Sequence, residues 1–329
     1  MWMTTTTFIQ AVLLLSLSKT TIVVRAQSSN FVTLNSMEET SKFVQLLDRV
    51  GLSVTEGRTI FAPSNEAFKV FREEDVVLWN KYASQPEFYV HMRDLLLWHM
   101  VTEDAYTTSQ IFDGNRVVLE NELGNITVDQ QFQKIDNVAF VDFEEPNITT
   151  SEGIIHVLND VVLPPYLGQD MLAQMLDDRS EKFAFSTMAN LALWAGLDDK
   201  LNGVYENGIT FLVPPNRRFN RAEINVPALL TDEMKNYTRD FVLCHMIMDN
   251  YHQSAIFAEH QNEGIDTQLV TSELGTHMWI TTTNDELRFQ ARPLILPDQP
   301  VKNGYVLDMC VCCVFLSCRR CLSPKSLII

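Results

Sequence analysis

The chain has 329 residues, 46% of them hydrophobic and 20% charged, with a formal net charge of −17. This composition is globular and argues against disorder, and the length suits two domains of ordinary size. The acidic balance makes nucleic acid and anionic membrane surfaces poor partners; it suits a soluble extracellular protein, a partner that brings cations, or no more than a solvated acidic surface.

Residues 1–26 read as a secretory signal. An apolar run from Phe8 to Leu17 is too short to span a bilayer, and Val24-Arg25-Ala26 offers the small residue that a signal peptidase needs. Removing this stretch takes away Lys19 and Arg25 and no acid, moving the charge from −17 to −19. Three Asn-x-Ser/Thr sequons follow, at Asn125, Asn147 and Asn236. They are glycan acceptors if the chain enters a glycosylating compartment. No transmembrane anchor is evident in the sequence.

Phe43, Val44, Leu46, Leu47 and Val50 are spaced for one face of a helix, and Gly51 is placed to end it. Thr59 to Ala62 reads as a strand stopped by Pro63, because proline cannot donate to a sheet ladder. Ser64 and Asn65 are good N-cap residues for a second helix carrying Phe68, Val70 and Phe71. An apolar run from Leu95 to Val101 contains His99. Val117 to Leu119, Ile126 to Val128 and Val138 to Val141 are strand signals between turn residues. Gly153 to Leu163 reads as a closing strand ended by Pro164-Pro165. Helices in front and strands behind predict an α+β domain rather than a parallel sheet.

Residues 164–169 form a short linker, and the plan then repeats. Phe185, Met188, Ala189, Ala192 and Leu193 predict a helix face, Ile209 to Val213 a strand, and Phe241 to Ile247 an apolar helix. Met278 to Ile280 and Leu287 to Phe289 predict later strands. The correspondence is specific. Thr59-Ile60-Phe61-Ala62-Pro63-Ser64-Asn65-Glu66-Ala67-Phe68 matches Thr210-Phe211-Leu212-Val213-Pro214-Pro215-Asn216-Arg217-Arg218-Phe219. Gly51-Leu52 matches Gly196-Leu197, Leu97-Trp98-His99-Met100 matches Leu243-Cys244-His245-Met246, and Gly153-Ile154-Ile155 matches Gly304-Tyr305-Val306. Offsets of 145, 151, 146 and 151 describe a tandem repeat of domain size.

In this order the anchors resemble the fasciclin domain, an extracellular adhesion module. The resemblance covers every landmark over residues 30–166. Over residues 168–309 it is clear at the front and fails at the back. It implies two α+β fasciclin-type domains, each a mixed β-wedge or sandwich flanked by helices. It also implies structural roles for Thr59, Phe61, Pro63, Asn65, Phe68, His99, Gly153, His156 and Pro164, and for Pro214, Asn216, Phe219 and His245. In that family a Tyr-His pair in the apolar helix is linked to integrin-type adhesion. Here those positions hold Trp98-His99 and Cys244-His245.

After Gly304 the repeat breaks. Leu307 stands where His156 stands, and Asp308 where Val157 stands. Five of the six cysteines follow, at 310, 312, 313, 318 and 321. A disulfide cluster, a zinc site on Cys318-x-x-Cys321, a membrane or lipid anchor and an aberrant end without selected function all compete. The segment is too short to span a membrane, and the zinc reading lacks a second well-spaced pair. The stop in mid-motif favours the aberrant end, so residues 310–329 are read as a cysteine-rich tail on an incomplete second domain. Loss of a closing strand would remove buried aliphatic side chains at roughly 2 kcal/mol each, and so predicts a weakened second domain.

The sequence contains no nucleophile elbow, no His-Glu-x-x-His, no phosphate-binding glycine loop and no EF-hand loop. Glu73-Glu74-Asp75 reads as a solvated helix face, and His252 and His260 as two surface histidines. His99 and His156 lie within apolar patterns, as buried structural histidines do. No metal and no cofactor is implied. The reading is a secreted, non-enzymatic adhesion or matrix protein with extracellular protein or glycan partners. A small-ligand or polysaccharide binder is the alternative, and a hydrolase lacks its nucleophile.

Overall fold

The computed structural model describes residues 28–54, 58–113, 118–142, 146–177, 184–222, 224–251, 256, 260, 267–283, 286–289, 292–293 and 299–308. The expected signal segment, the cysteine-rich tail and His252 lie outside these residues.

The first block runs α1 (Asn30–Ser36), α2 (Ser41–Arg49), β1 (Thr59–Pro63), α3 (Asn65–Glu74), α4 (Val76–Ser84), α5 (Tyr89–Trp98), β2 (Met100–Val101), α6 (Thr108–Phe112), β3 (Val118–Asn121), β4 (Gly124–Asp129), β5 (Lys134–Ile135), β6 (Ala139–Phe140), β7 (Ile148–Thr149) and β8 (Ile154–Leu158). The second runs α7 (Met171–Leu176), α8 (Ser186–Trp194), α9 (Asp198–Asn202), β9 (Ile209–Val213), α10 (Asn216–Arg221), α11 (Val226–Leu229), α12 (Lys235–Leu243), β10 (Met246–Ile247), β11 (Thr267–Thr271), β12 (His277–Thr283), β13 (Glu286–Phe289), β14 (Arg292–Pro293), β15 (Gln299–Val301) and β16 (Gly304–Asp308).

Both blocks solve one packing problem in one way. A sheet of order β2-β1-β8-β7 is matched by β10-β9-β16-β15, and a second sheet, β3-β4-β5-β6, by β11-β12-β13-β14. The central pair is parallel in each block: Thr59 faces Ile154, and Thr210 faces Tyr305. Every residue of β1, β8, β9 and β16 is buried, which explains why apolar residues occupy both faces of these strands, since a strand covered on both faces does not alternate. In the first block the helices supply one core with Phe43, Leu47, Phe68 and Leu95. The space between the two sheets is a second core with Phe61, Leu119, Ile126 and Leu158. The fold is therefore α+β with mixed sheets. The parallel central pair was not apparent from the order of helices and strands, because its partners lie about a hundred residues apart in the chain.

Two small residues make that pairing feasible. A Cβ on Gly153 would lie 1.9 Å from the Arg58 carbonyl oxygen, and one on Gly304 would lie 1.9 Å from that of Ile209. The first of these oxygens accepts the Ile154 amide at 2.8 Å. Gly51 and Gly196 serve differently. Both take φ near +60°, at +61° and +64°, just after α2 and α8, the left-handed exit that glycine adopts without strain.

Several expectations need correction. The run from Phe241 to Ile247 is not one helix. α12 ends at Leu243, Cys244 caps it, and Met246–Ile247 is already β10. The first-block run divides the same way, after Trp98. On α8, Leu193 is largely exposed and Leu191 is fully buried. The closing strand is shorter than Gly153 to Leu163, ending at Leu158. The second-block strand is not lost: Gly304–Asp308 forms β16 and pairs with all of β9. Since β8 itself stops at Leu158, the divergence beyond Asp308 falls at the strand's end. Leu307 keeps an apolar group facing the second sheet, packed with Leu212 and Ile280.

The blocks meet along α4 and α5. His91 Nε2 faces the carbonyls of Val301 at 2.9 Å and Gly304 at 3.0 Å, and its ring meets Tyr305 edge-on at 4.7 Å. Buried Lys81 donates to the carbonyls of Glu206, at 2.7 Å, and Tyr205. The linker is held by Tyr166, whose hydroxyl donates to Asp94 at 3.1 Å. Among the described residues no helix is long and apolar enough to cross a membrane.

Candidate functional site

The repeated ten-residue motif is a structural joint. Thr59 Oγ1 donates to Asp104 O at 2.6 Å and accepts the Tyr106 amide at 2.8 Å. Thr210 repeats this with Asp249 O and the Tyr251 amide, both at 2.7 Å. Pro63 closes β1, and the next amide, Ser64, reaches Leu158 O at 2.9 Å. Pro214 follows β9 directly. Phe68 and Phe219 are buried beneath α3 and α10.

Asn65 plays another part than the cap expected of it, and Asn216 shares that part. Ser64 is the N-cap of α3, accepting the Ala67 amide at 3.1 Å. Asn65 instead reaches back to the start of α2: its Oδ1 accepts the Lys42 amide at 2.8 Å and its Nδ2 donates to Ser41 Oγ at 3.0 Å. Asn216 does the same for α8, with the Thr187 amide at 2.8 Å and Ser186 Oγ at 2.9 Å. Each asparagine thus caps the helix packed beside its own, satisfying amides that the helix start leaves free.

His99 lies at the end of α5 with 1% of its surface exposed. Its Nδ1 donates to Leu95 O at 2.8 Å, and its Nε2 accepts the Val162 amide at 3.2 Å. Burial pushes its pKa down to about 4, against the pull of the Leu95 carbonyl, so the ring is neutral at physiological pH. His245 copies the first bond, Nδ1 to Phe241 O at 2.7 Å, and burial likewise pushes it down to about 4. Among the described residues nothing donates to its Nε2. His156 stacks on Phe61 at 5.5 Å, with Tyr106 O 2.8 Å from its Nε2 and Pro146 O beside its Nδ1. Burial lowers its pKa, opposed by these two carbonyls.

The position of the family's Tyr-His pair is closed. Trp98 is buried and donates from Nε1 to Asp136 Oδ2 at 2.7 Å, while Asp136 Oδ1 accepts the Thr127 amide at 2.6 Å. Cys244 is equally buried, with Sγ 3.5 Å from Thr276 Oγ1. None of Trp98, His99, Cys244 and His245 presents a surface to a partner. Asp136 gave no signal in the sequence, since only the turn at Asp136-Asn137, with φ of +51° and +61°, brings it under Trp98.

The remaining candidates are dispersed. Asn125, Asn147 and Asn236 are all exposed. Asn147 exchanges hydrogen bonds with Thr108 at 2.8 and 3.1 Å, and Thr238 of the third sequon is buried, donating to Leu229 O at 2.6 Å. Asp75 is more than part of a solvated run, because it caps α4 by accepting the Leu78 amide at 2.9 Å. His260 is buried rather than at the surface, its Nδ1 3.0 Å from Thr282 Oγ1. Among the described residues no group of three or more His, Cys, Asp or Glu is arranged to hold a metal ion. Two open clefts flank Asn65. One of about 670 Å³ is acidic, with Glu39, Glu66 and Asp142. The other, of about 480 Å³, is basic, with Lys42, Lys69 and Arg72.

Geometry of this kind defines a tandem α+β scaffold in which the threonines and asparagines of the repeated motif and the histidines His99, His156 and His245 bond mainly to backbone carbonyls and amides. The chain belongs to the fasciclin domain family: the family model matches residues 29–164 and again 183–309. Stabilin-1 of Homo sapiens is 25% identical over 138 residues, and Stabilin-1 of Mus musculus 24% over 138. Each match covers 40% of this chain and 5% of the relative, so the chain spans a small part of those proteins. A solved FAS1 domain pair from the insect cell adhesion molecule fasciclin I covers 84% of this chain and 93% of its own, at 16% identity and a TM-score of 0.46.

Proposed function

We propose that the protein is secreted and glycosylated and acts without turnover chemistry, mediating adhesion or matrix contact through the surfaces of its two fasciclin domains. The observation that carries this reading is the fate of the histidines. His99, His156 and His245 are buried and bonded to backbone carbonyls, so the residues most suited to acid–base chemistry are committed to the fold. The recognition of partners then falls to exposed loops, clefts and any glycans on Asn125, Asn147 and Asn236. Membership of the fasciclin domain family supports an extracellular setting. The domain boundaries expected from the sequence, 30–166 and 168–309, belong to the same reading.

Beads coated with the purified full chain are expected to aggregate, or cells to attach to a coated surface, in a dose-dependent manner. A folded chain that does neither contradicts the adhesive role.

A further inference from the structure

The basic cleft between α2, α3 and α4 is anomalous in a chain of net charge −17. Lys42, Lys69 and Arg72 line it together with Ser41, Gln45, Asn65 and the rim of Trp79. Lys69 is paired with Glu66 at 2.7 Å. Among the described residues no carboxylate pairs with Lys42, Arg49 or Arg72. Lys42 Nζ sits 5.5 Å above the Trp79 ring and donates to Gln45 Oε1 at 2.8 Å. Its pKa is lowered by burial, then by repulsion from Arg49 and Arg72. Unneutralised like charges gathered at one cleft raise the energy of the empty protein and attract an anion.

The second repeat acts as an internal control. In register with α2, Lys42 corresponds to Thr187 and Arg49 to Trp194; in register with α3, Lys69 corresponds to Asn220 and Arg72 to Glu223. Yet the Asn65 bridge beneath the cleft is reproduced by Asn216. The scaffold therefore does not require the cations.

We propose that this cleft binds the oxyanion of an acidic glycan, a sulfate or a uronate carboxylate, through Lys42 and Arg72. The proposal rests on the adhesive reading above and names the chemistry of one partner. The uncharged lining favours a sugar over an acidic peptide. The Ser41 hydroxyl, the Gln45 and Asn65 amides and an aromatic rim suit a hydroxylated ring, whereas the cleft has no deep apolar pocket to seat a peptide anchor.

The test titrates the full chain with heparin oligosaccharides, with hyaluronan oligosaccharides, which carry carboxylate and no sulfate, and with polyglutamate. Saturable binding of either sugar is expected, weakening as salt is added and at least tenfold in the Lys42→Glu/Arg72→Glu variant. Lys42→Gln/Arg72→Gln is expected to weaken it less. Lys134→Glu/Arg221→Glu, with the same change in net charge, leaves binding intact. Heparin alone identifies sulfate as the ligand group, and binding of both sugars identifies any oxyanion on a sugar. No saturable sugar binding, equal binding of polyglutamate, or insensitivity to the Lys42 and Arg72 changes overturns the proposal. Bead aggregation that persists without sugar binding defeats this inference and leaves the adhesive reading in place.

Discussion

Alanine at Gly153 is expected to unfold the first repeat at temperatures where the native chain is stable. The added methyl would lie 1.9 Å from the Arg58 carbonyl oxygen and 2.7 Å from its carbon. These are backbone atoms of the neighbouring strand, so no rotamer change relieves the overlap. That oxygen also accepts the Ile154 amide at 2.8 Å, the first rung of the β1–β8 pair. Separating the strands there exposes a fully buried pair, and the loss is expected to exceed about 4 kcal/mol, a large share of a domain's usual stability of about 5–15 kcal/mol. Gly304→Ala meets the Ile209 oxygen at 1.9 Å and is expected to do the same to the second repeat. Gly51→Ala is the control: nothing lies within 4 Å of its Cβ, and only the positive φ of +61° is strained, at about 1 kcal/mol. Denaturant unfolding followed by fluorescence checks all three. A loss at Gly153 no larger than at Gly51 contradicts the close approach of the strands.

Asp308→Val, by contrast, is expected to stabilise the second repeat. Asp308 is fully buried, takes the place of Val157, and pairs with Val213 in the central strands. Neither carboxylate oxygen accepts a hydrogen bond among the described residues. Arg217 Nη2 stands 3.9 Å away, and burial outweighs Arg217 and Arg218 to push the carboxyl pKa up to about 6. The sign follows from linkage. The unfolded carboxyl titrates near 3.9, so above about pH 6 it is ionised in both states and the folded state carries the cost. Below about pH 4 both states are protonated and the cost vanishes. Valine is therefore expected to gain about 1–3 kcal/mol at pH 7, and less at pH 4. His99 and His245 act in the opposite sense. Their folded pKa values near 4 lie below the ordinary 6.5, so they remove stability as pH falls from about 6.5 to 4. Comparing variant and native chains at each pH isolates the carboxylate. A destabilised Asp308→Val chain at pH 7 would show instead that the Arg217–Asp308 pair is net favourable.

Much of the architecture could be read from the residues because the chain states it twice. The strand, proline and helix of the repeated motif stand where their local chemistry puts them, and α2 ends at the glycine that permits its exit. What could not be read depends on partners far along the chain. The role of Asn65 was inverted because Ser64 and Asn65 are both good caps, and only the packing of α2 against α3 decides which helix each one serves. The end of α12 was missed because Phe241 to Ile247 is apolar throughout, and a buried helix and a buried strand share that pattern. The second closing strand was discounted on the loss of its histidine. Pairing, however, needs the glycine and apolar side chains on both faces, and both survive to Leu307. The burial of Trp98 could not be read because its acceptor, Asp136, lies 38 residues further on. The basic cleft was not legible because its three cations come from two helices separated by a strand, and only the folded chain sets them side by side.

Amide hydrogen exchange on the full chain tests most directly whether both repeats are built around the same parallel strand pair. The slowest-exchanging amides are expected in two matching sets, Ile60 to Ala62 with Ile155 to Val157, and Phe211 to Val213 with Val306 and Leu307. Rapid exchange at Val306 and Leu307, beside protection of Ile155 to Val157, would contradict it.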